Sequence, residues 1–154
     1  MEIRAAKLED REEVLKTVDE FNDFANSQGN NRNKPSSFSQ KYSIGLYNEI
    51  VSSNRSKLFI AFNQDQVVGY LEIHQVPRLR KAKYYGEIEG MFVKKAYQGT
   101  GIATQLMEAA RSWAKTEGLD CIRLYSGHGL DRAHAFYEKM GFIHAGKTYR
   151  LIKF

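Results

Sequence analysis

The chain has 154 residues, 42% of them hydrophobic, 12% aromatic and 27% charged, with a formal net charge of +5. That is the length and composition of one soluble globular domain with a sizeable core. No apolar run approaches the roughly 20 residues of a membrane helix. The single cysteine, Cys121, excludes an intrachain disulfide.

The N-terminal Met1-Glu-Ile-Arg-Ala-Ala-Lys7 lacks the long apolar stretch of a signal peptide, so a cytoplasmic protein is expected. Cys121 sits in an alternating Asp-Cys-Ile-Arg-Leu-Tyr segment, where a packed core thiol is the expected role. His74, His128, His134 and His144 show no metal-ligand spacing, and no metal site is expected. Positive charge is dense only in Arg78-Leu-Arg-Lys-Ala-Lys83 and in Lys94-Lys95. Neither cluster carries a nucleic-acid motif, which makes nucleic-acid binding the weaker reading.

In chain order, Ile3 to Ala6 reads as a short opening strand. Leu8 to Phe24 reads as a helix with Leu8, Val14, Leu15, Val18, Phe21 and Phe24 at helical spacing. The polar stretch Asn26 to Pro35 is a loop, and Ser36 to Val51 a second helix through Phe38, Tyr42, Leu46 and Ile50. Loop and helix together are candidates for one wall of an acceptor site. Lys57–Phe62 and Val67–His74 read as strands joined by a turn at Asn63-Gln-Asp-Gln66. Tyr84 to Val93 is a longer strand, and Gly101 to Thr116 a helix with Ile102, Leu106, Ala109, Ala110 and Trp113 as its apolar stripe. A strand over Cys121–Tyr125, a helix over Asp131–Met140 and a strand pair over Phe142–Phe154 complete the chain, with no linker or repeat. Antiparallel strands followed by a strand-helix-strand unit predict a mixed α/β (α+β) fold in one domain over 1–154.

The segment richest in chemistry is Glu87-Ile-Glu-Gly-Met-Phe-Val93, then Lys-Lys-Ala-Tyr, then Gln98-Gly-Thr-Gly-Ile-Ala103. A strand, a glycine turn and a helix with unsatisfied first N–H groups make a good anion site, above all for a pyrophosphate. Gly101 is followed by Ile-Ala rather than Lys-Ser/Thr, which excludes a P-loop. Gly99-Thr-Gly101-Ile-Ala-Thr104 lacks the third glycine of a dinucleotide fingerprint. On Gly99 and Gly101 alone, an ordinary strand-turn-helix is the preferred reading.

The full pattern resembles the GNAT acyltransferases. Gln98-Gly-Thr-Gly-Ile-Ala103 is similar to their Q/R-x-x-G-x-G/A signature. Arg132-Ala-His-Ala-Phe-Tyr-Glu-Lys-Met-Gly-Phe142 is similar to their second motif. The resemblance implies a mostly antiparallel central sheet of about seven strands with about four flanking helices. It also implies acetyl-CoA as acyl donor. The amides of Gln98, Gly99, Thr100, Gly101, Ile102 and Ala103 would hold the pyrophosphate. Main-chain groups of Met91, Phe92 and Val93 would hold the pantetheine arm, on a strand that splays from the one containing Leu124. Lys94, Lys95 and Arg132 are candidates for the nucleotide phosphates.

Acetyl transfer to an amine needs a proton removed from the amine, the thioester carbonyl polarised and the leaving thiolate protonated. By the same resemblance Tyr137 faces the thioester sulfur and is the general-acid candidate. Its competing role is packing, because Ala133, Phe136, Tyr137 and Met140 share one helical stripe. Glu89 is the candidate base, directly or through water, beside a cleft expected to be desolvated. Glu87 points to the same face, and solvent remains an alternative base. His134, one turn before Tyr137, is a candidate for orienting it. Many relatives carry Asn where Leu130 stands, so Ser126 or Asp131 would have to make that pantetheine contact.

The implied partner is a small-molecule or peptide amine, with Glu87, Glu89 and Glu72 attracting its cation. The alternative classes are a catalytically inactive CoA-binding module and, weaker, a basic nucleic-acid-binding domain. An apolar edge over Lys147–Phe154 leads to a homodimer expectation.

Overall fold

Two segments of alternating side chains joined by a tight turn form the central hairpin, β2 (Ser56–Asn63) and β3 (Gln66–Arg78). The computed structural model describes residues 1–28 and 39–151, and of residues 39–42 the backbone only. Around the hairpin stand β1 (Glu2–Ala5), α1 (Arg11–Ser27), α2 (Ser39–Ser52), β4 (Lys83–Val93), α3 (Ile102–Thr116), β5 (Ile122–Leu124) and α4 (Asp131–Lys139). The chain divides into two compact units, Met1–Arg123 and Leu124–Phe154. Phe38 and the loop from Gly29 to Pro35 lie outside the described residues, as does the side chain of Tyr42.

The sheet order is β1-β2-β3-β4-β5, with the first three pairings antiparallel. β5 joins the N-terminal part of β4. Asp120 N–H donates to Tyr84 O and Gly86 N–H to Cys121 O, both at 2.9 Å, and both chains advance in the same direction there. This is the mostly antiparallel mixed sheet with four helices that the resemblance implies. Its size is a correction: the described residues form five strands, not about seven. Residues 142–151 form no strand, a correction to the expected strand pair, and the end of the edge used for the homodimer expectation lies outside the described residues.

Alternation decides which helix meets which face. Leu58, Ile60 and Tyr70 point to one side and bury Val14 of α1 and Tyr47 of α2. Leu71, Ile73 and Ile88 point to the other. α3 packs on β2, β3 and β4 through Ile102, Leu106, Met107 and Ala110, all at most 1% exposed. Ile102, Leu106 and Met107 each contribute about 1.5–3 kcal/mol relative to exposure, so α3 is fixed firmly by its apolar stripe.

The start of α1 is fixed electrostatically. Arg4 forks onto Asp10 at 2.7 and 2.8 Å, and Lys7 N–H donates to the same carboxylate at 2.7 Å. The Arg4 hydrogen bond is the main reason the Asp10 carboxyl is held below its ordinary range. A depressed carboxyl stabilises the fold above its unfolded pKa, and that stability is lost as pH falls through the folded value. Asp10→Asn should therefore cost about 3 kcal/mol at neutral pH. Below about pH 4 the wild-type melting temperature should fall towards that of the variant. Thermal melts of both proteins at neutral and acidic pH check this.

Candidate active site

β4 ends at Val93, and its exit is held by Lys94 N–H donating to Val68 O at 2.9 Å. A single 3-10 turn over Lys95–Tyr97 follows. Gln98 Nε2 then reaches back to Val93 O at 3.0 Å, and Thr100 Oγ1 donates to Tyr97 O at 2.6 Å. Gly99 and Gly101 take φ of 82° and 86°, the left-handed region where a side chain is strained. Gly101 caps α3, its carbonyl accepting the Gln105 N–H at 3.1 Å. The N–H groups of Ile102, Ala103 and Thr104 thus precede the first N–H that donates within the helix, that of Gln105, at the positive end of a 15-residue helix.

A side chain built on Gly99 would meet nothing within 4 Å, and one on Gly101 only Gln105 Nε2 at 3.9 Å. Neither glycine is there to let other protein atoms in. The turn is therefore open on the side where side chains at these two positions would stand. Lys94, one phosphate candidate, is already paired with Glu20 at 2.8 Å, whereas Lys95 is exposed.

On β4 the register with β3 slips. Gly90 stands opposite Glu72 and Ile88 opposite Ile73, which leaves Glu89 without a partner across the pair. This bulge occurs just before Met91, Phe92 and Val93, whose partners are Leu71, Tyr70 and Gly69. β5 has three residues, too few to run from beside Gly86 to Met91. On that side Met91–Val93 has no strand partner among the described residues.

Glu87 stands opposite His74, and the Glu89 charge also acts on His74, but the bulge at Glu89 interrupts the alternation between the two acids. Glu89 itself is exposed. The sequence reading missed the partners of His74, Ser56 above all. Ser56 Oγ lies 2.8 Å from His74 Nδ1, and His74 Nε2 lies 2.7 Å from Glu72 Oε1.

In the second unit, α4 places Tyr137 edge-on between Phe136 (5.5 Å between centroids) and Phe142 (5.9 Å). Burial pushes its phenol pKa up, so the hydroxyl keeps its proton at neutral pH. His134 is not spent on Tyr137. Its Nε2 lies 3.0 Å from Gly127 O and ties the preceding loop to the helix. Cys121 is another correction, being exposed just before β5 with Arg78 Nη2 3.6 Å from its sulfur. Among the described residues no group of three or more His, Cys, Asp or Glu is placed to hold a metal, and no helix is long and apolar enough to cross a membrane.

Known proteins resemble this chain in sequence and in fold. The pattern of the acetyltransferase (GNAT) family matches residues 19–142. The N-alpha-acetyltransferase 30 of Schizosaccharomyces pombe is 30% identical over 116 residues, 73% of this chain and 74% of that protein. An aminoglycoside N(6')-acetyltransferase type 1 of Acinetobacter haemolyticus is 26% identical over 122 residues, 76% of this chain and 83% of its own length. Among solved structures, AAC(6')-Iy in complex with the bisubstrate analog CoA-S-monomethyl-acetylneamine aligns with a TM-score of 0.79 at 15% identity, covering 99% of this chain and 97% of that one. The chain belongs to the acetyltransferase (GNAT) family and is an N-acetyltransferase.

Proposed function

We propose that the enzyme moves the acetyl group of acetyl-CoA to a primary amine of a small molecule or peptide, by direct attack in a ternary complex. The observation that carries this reading is the open, amide-lined turn from Gln98 to Ala103 at the start of α3. Its N–H groups and helix dipole suit the CoA pyrophosphate. The unpaired side of Met91, Phe92 and Val93 suits the amide groups of the pantetheine arm. Both units are read as parts of one acetyltransferase domain over 1–154, since the family pattern runs across the boundary between them.

The amine nitrogen attacks the acetyl carbon, the C–S bond breaks, and Tyr137 gives its proton to the departing thiolate. The amine's proton leaves to Glu89 directly, through a bound water, or to solvent, with Glu87 the neighbouring candidate. The relatives' names, one acting on peptide N-alpha amines and one on aminoglycosides, support an amine acceptor without choosing between the two classes.

The test is thiol release from acetyl-CoA against peptides with free N-termini, aminoglycosides, polyamines and amino acids, alongside calorimetric binding of acetyl-CoA. CoA release with at least one amine class is expected. Binding without release to any amine would make the chain an inactive CoA-binding module. Absence of binding would overturn the reading altogether.

A further inference from the structure

Apolar packing on the α1–α2 face of the sheet stops at Leu58 and Tyr70, and beyond them the same face turns polar. The register sets Ser56, His74 and Glu87 side by side across β2, β3 and β4, with Glu72 next to Gly90 one pair further on. His74 uses both ring nitrogens, Nδ1 on Ser56 and Nε2 on Glu72. The nitrogen facing the carboxylate carries a hydrogen. Neutral His74 therefore accepts from the Ser56 hydroxyl, and the cation donates to it instead.

The Glu72 hydrogen bond is the largest influence on His74 and raises its pKa; burial opposes this, and the Glu72 and Glu89 charges add to it. Glu72 on β3 and Glu87 and Glu89 on β4 are the carboxylates beside His74, β2 contributes only Ser56, and neighbouring Tyr70 is kept neutral by burial. Glu87 Oε2 is buried with no hydrogen-bond donor among the described residues. A buried, unpaired acceptor oxygen on the strand next to Glu72 suits a cationic donor.

Resting on the acetyl-transfer reading above, we propose that Glu72 receives the ammonium of the acceptor amine and that His74, held by Ser56, is its positioning residue. With both nitrogens engaged, His74 is not the group that removes the amine's proton. It fixes the Glu72 carboxylate, and its charge sets how strongly the cluster attracts a cation. Neutral His74 leaves the carboxylates unopposed, whereas protonated His74 supplies the positive charge itself and competes with the amine.

KM for the panel amine that releases CoA fastest is measured between about pH 5.5 and 8 in wild type, His74→Gln, Glu72→Gln and Glu72→Asp. Wild-type KM should rise about tenfold as His74 protonates, a typical effect for one charge-assisted contact. His74→Gln should lose that step while keeping the change due to the amine's own titration. Glu72→Gln should raise KM about tenfold with a much smaller change in kcat, and Glu72→Asp should recover part of it. The same KM step in His74→Gln, or an unchanged KM in Glu72→Gln, would overturn the proposal while leaving acetyl transfer standing.

A readout independent of turnover is the His74 ring resonance during titration of CoA-saturated protein with 1,4-diaminobutane. A saturable shift that disappears in Glu72→Gln is expected, and no shift would overturn the proposal. Failure of the acetyl-transfer reading itself is seen separately, as no CoA release with any amine.

Discussion

Tyr137→Phe is expected to lower kcat about 10²–10⁴-fold, the worth of general acid catalysis, with acetyl-CoA affinity nearly unchanged. The substitution removes one hydroxyl and keeps the ring that meets Phe136 and Phe142 edge-on. The stripe of packing side chains therefore survives, and the melting temperature should move little. Burial, which raises the phenol pKa, keeps the proton on Tyr137 until a thiolate forms to take it. A hydroxyl that acts only as the C–S bond breaks stabilises the transition state and not the bound ground state. The loss should accordingly appear in kcat and in kcat/KM together. If Tyr137 is only a core residue, turnover stays near normal and stability alone changes. Steady-state kinetics on an identified amine, with melts of both proteins, separates the two. A variant retaining most of its turnover where chemistry is rate-limiting would remove Tyr137 as the acid, and the family assignment would stand.

What the sequence shows follows from how local each feature is. α3 is legible because its stripe of Ile102, Leu106, Ala110 and Trp113 repeats at the period of a helix and is buried as that period requires. Gly99 and Gly101 are legible because a left-handed φ nearly demands glycine, so the backbone leaves a mark in the residue type. The β2–β3 hairpin shows its strands but not its register. A slip between Ala61 and Phe62 decides that Ser56 faces His74, and nothing in the local pattern announces it. The Ser56–His74–Glu72 chain was hidden for that reason, although Glu72 and His74 were each visible.

The C-terminal segment shows the opposite failure. Phe142 to Leu151 carries apolar and aromatic residues suited to a strand, but a strand also needs a partner for its N–H and C=O groups. Ile143, Tyr149 and Leu151 are 85%, 87% and 76% exposed, so the apolar residues after Phe142 are left uncovered. Cys121 was misplaced by the same logic. Alternation assigns a face, but whether that face is covered depends on what lies beyond the edge of the sheet.

Gly101→Val is expected to raise the acetyl-CoA dissociation constant about 10–100-fold, the equivalent of one or two lost hydrogen bonds to a charged group. Gly101 caps α3 at φ 86°, and the space over it is open except for Gln105 Nε2. A valine side chain would fill the approach to the Ile102 and Ala103 amides and hold a phosphate oxygen beyond hydrogen-bonding distance. The left-handed φ adds a strain of roughly 1–2 kcal/mol, which by itself would destabilise the turn. Gly118→Val supplies the control, because Gly118 has φ 65° at the opposite end of the same helix and its surroundings are equally open. Both variants should lose similar amounts of stability, but only the Gly101 variant should lose the cofactor. Calorimetric titration with acetyl-CoA, on proteins shown to be folded by circular dichroism, reads the difference directly. Equal affinity in the two variants would mean that strain alone acts at Gly101 and that the pyrophosphate binds elsewhere on the chain.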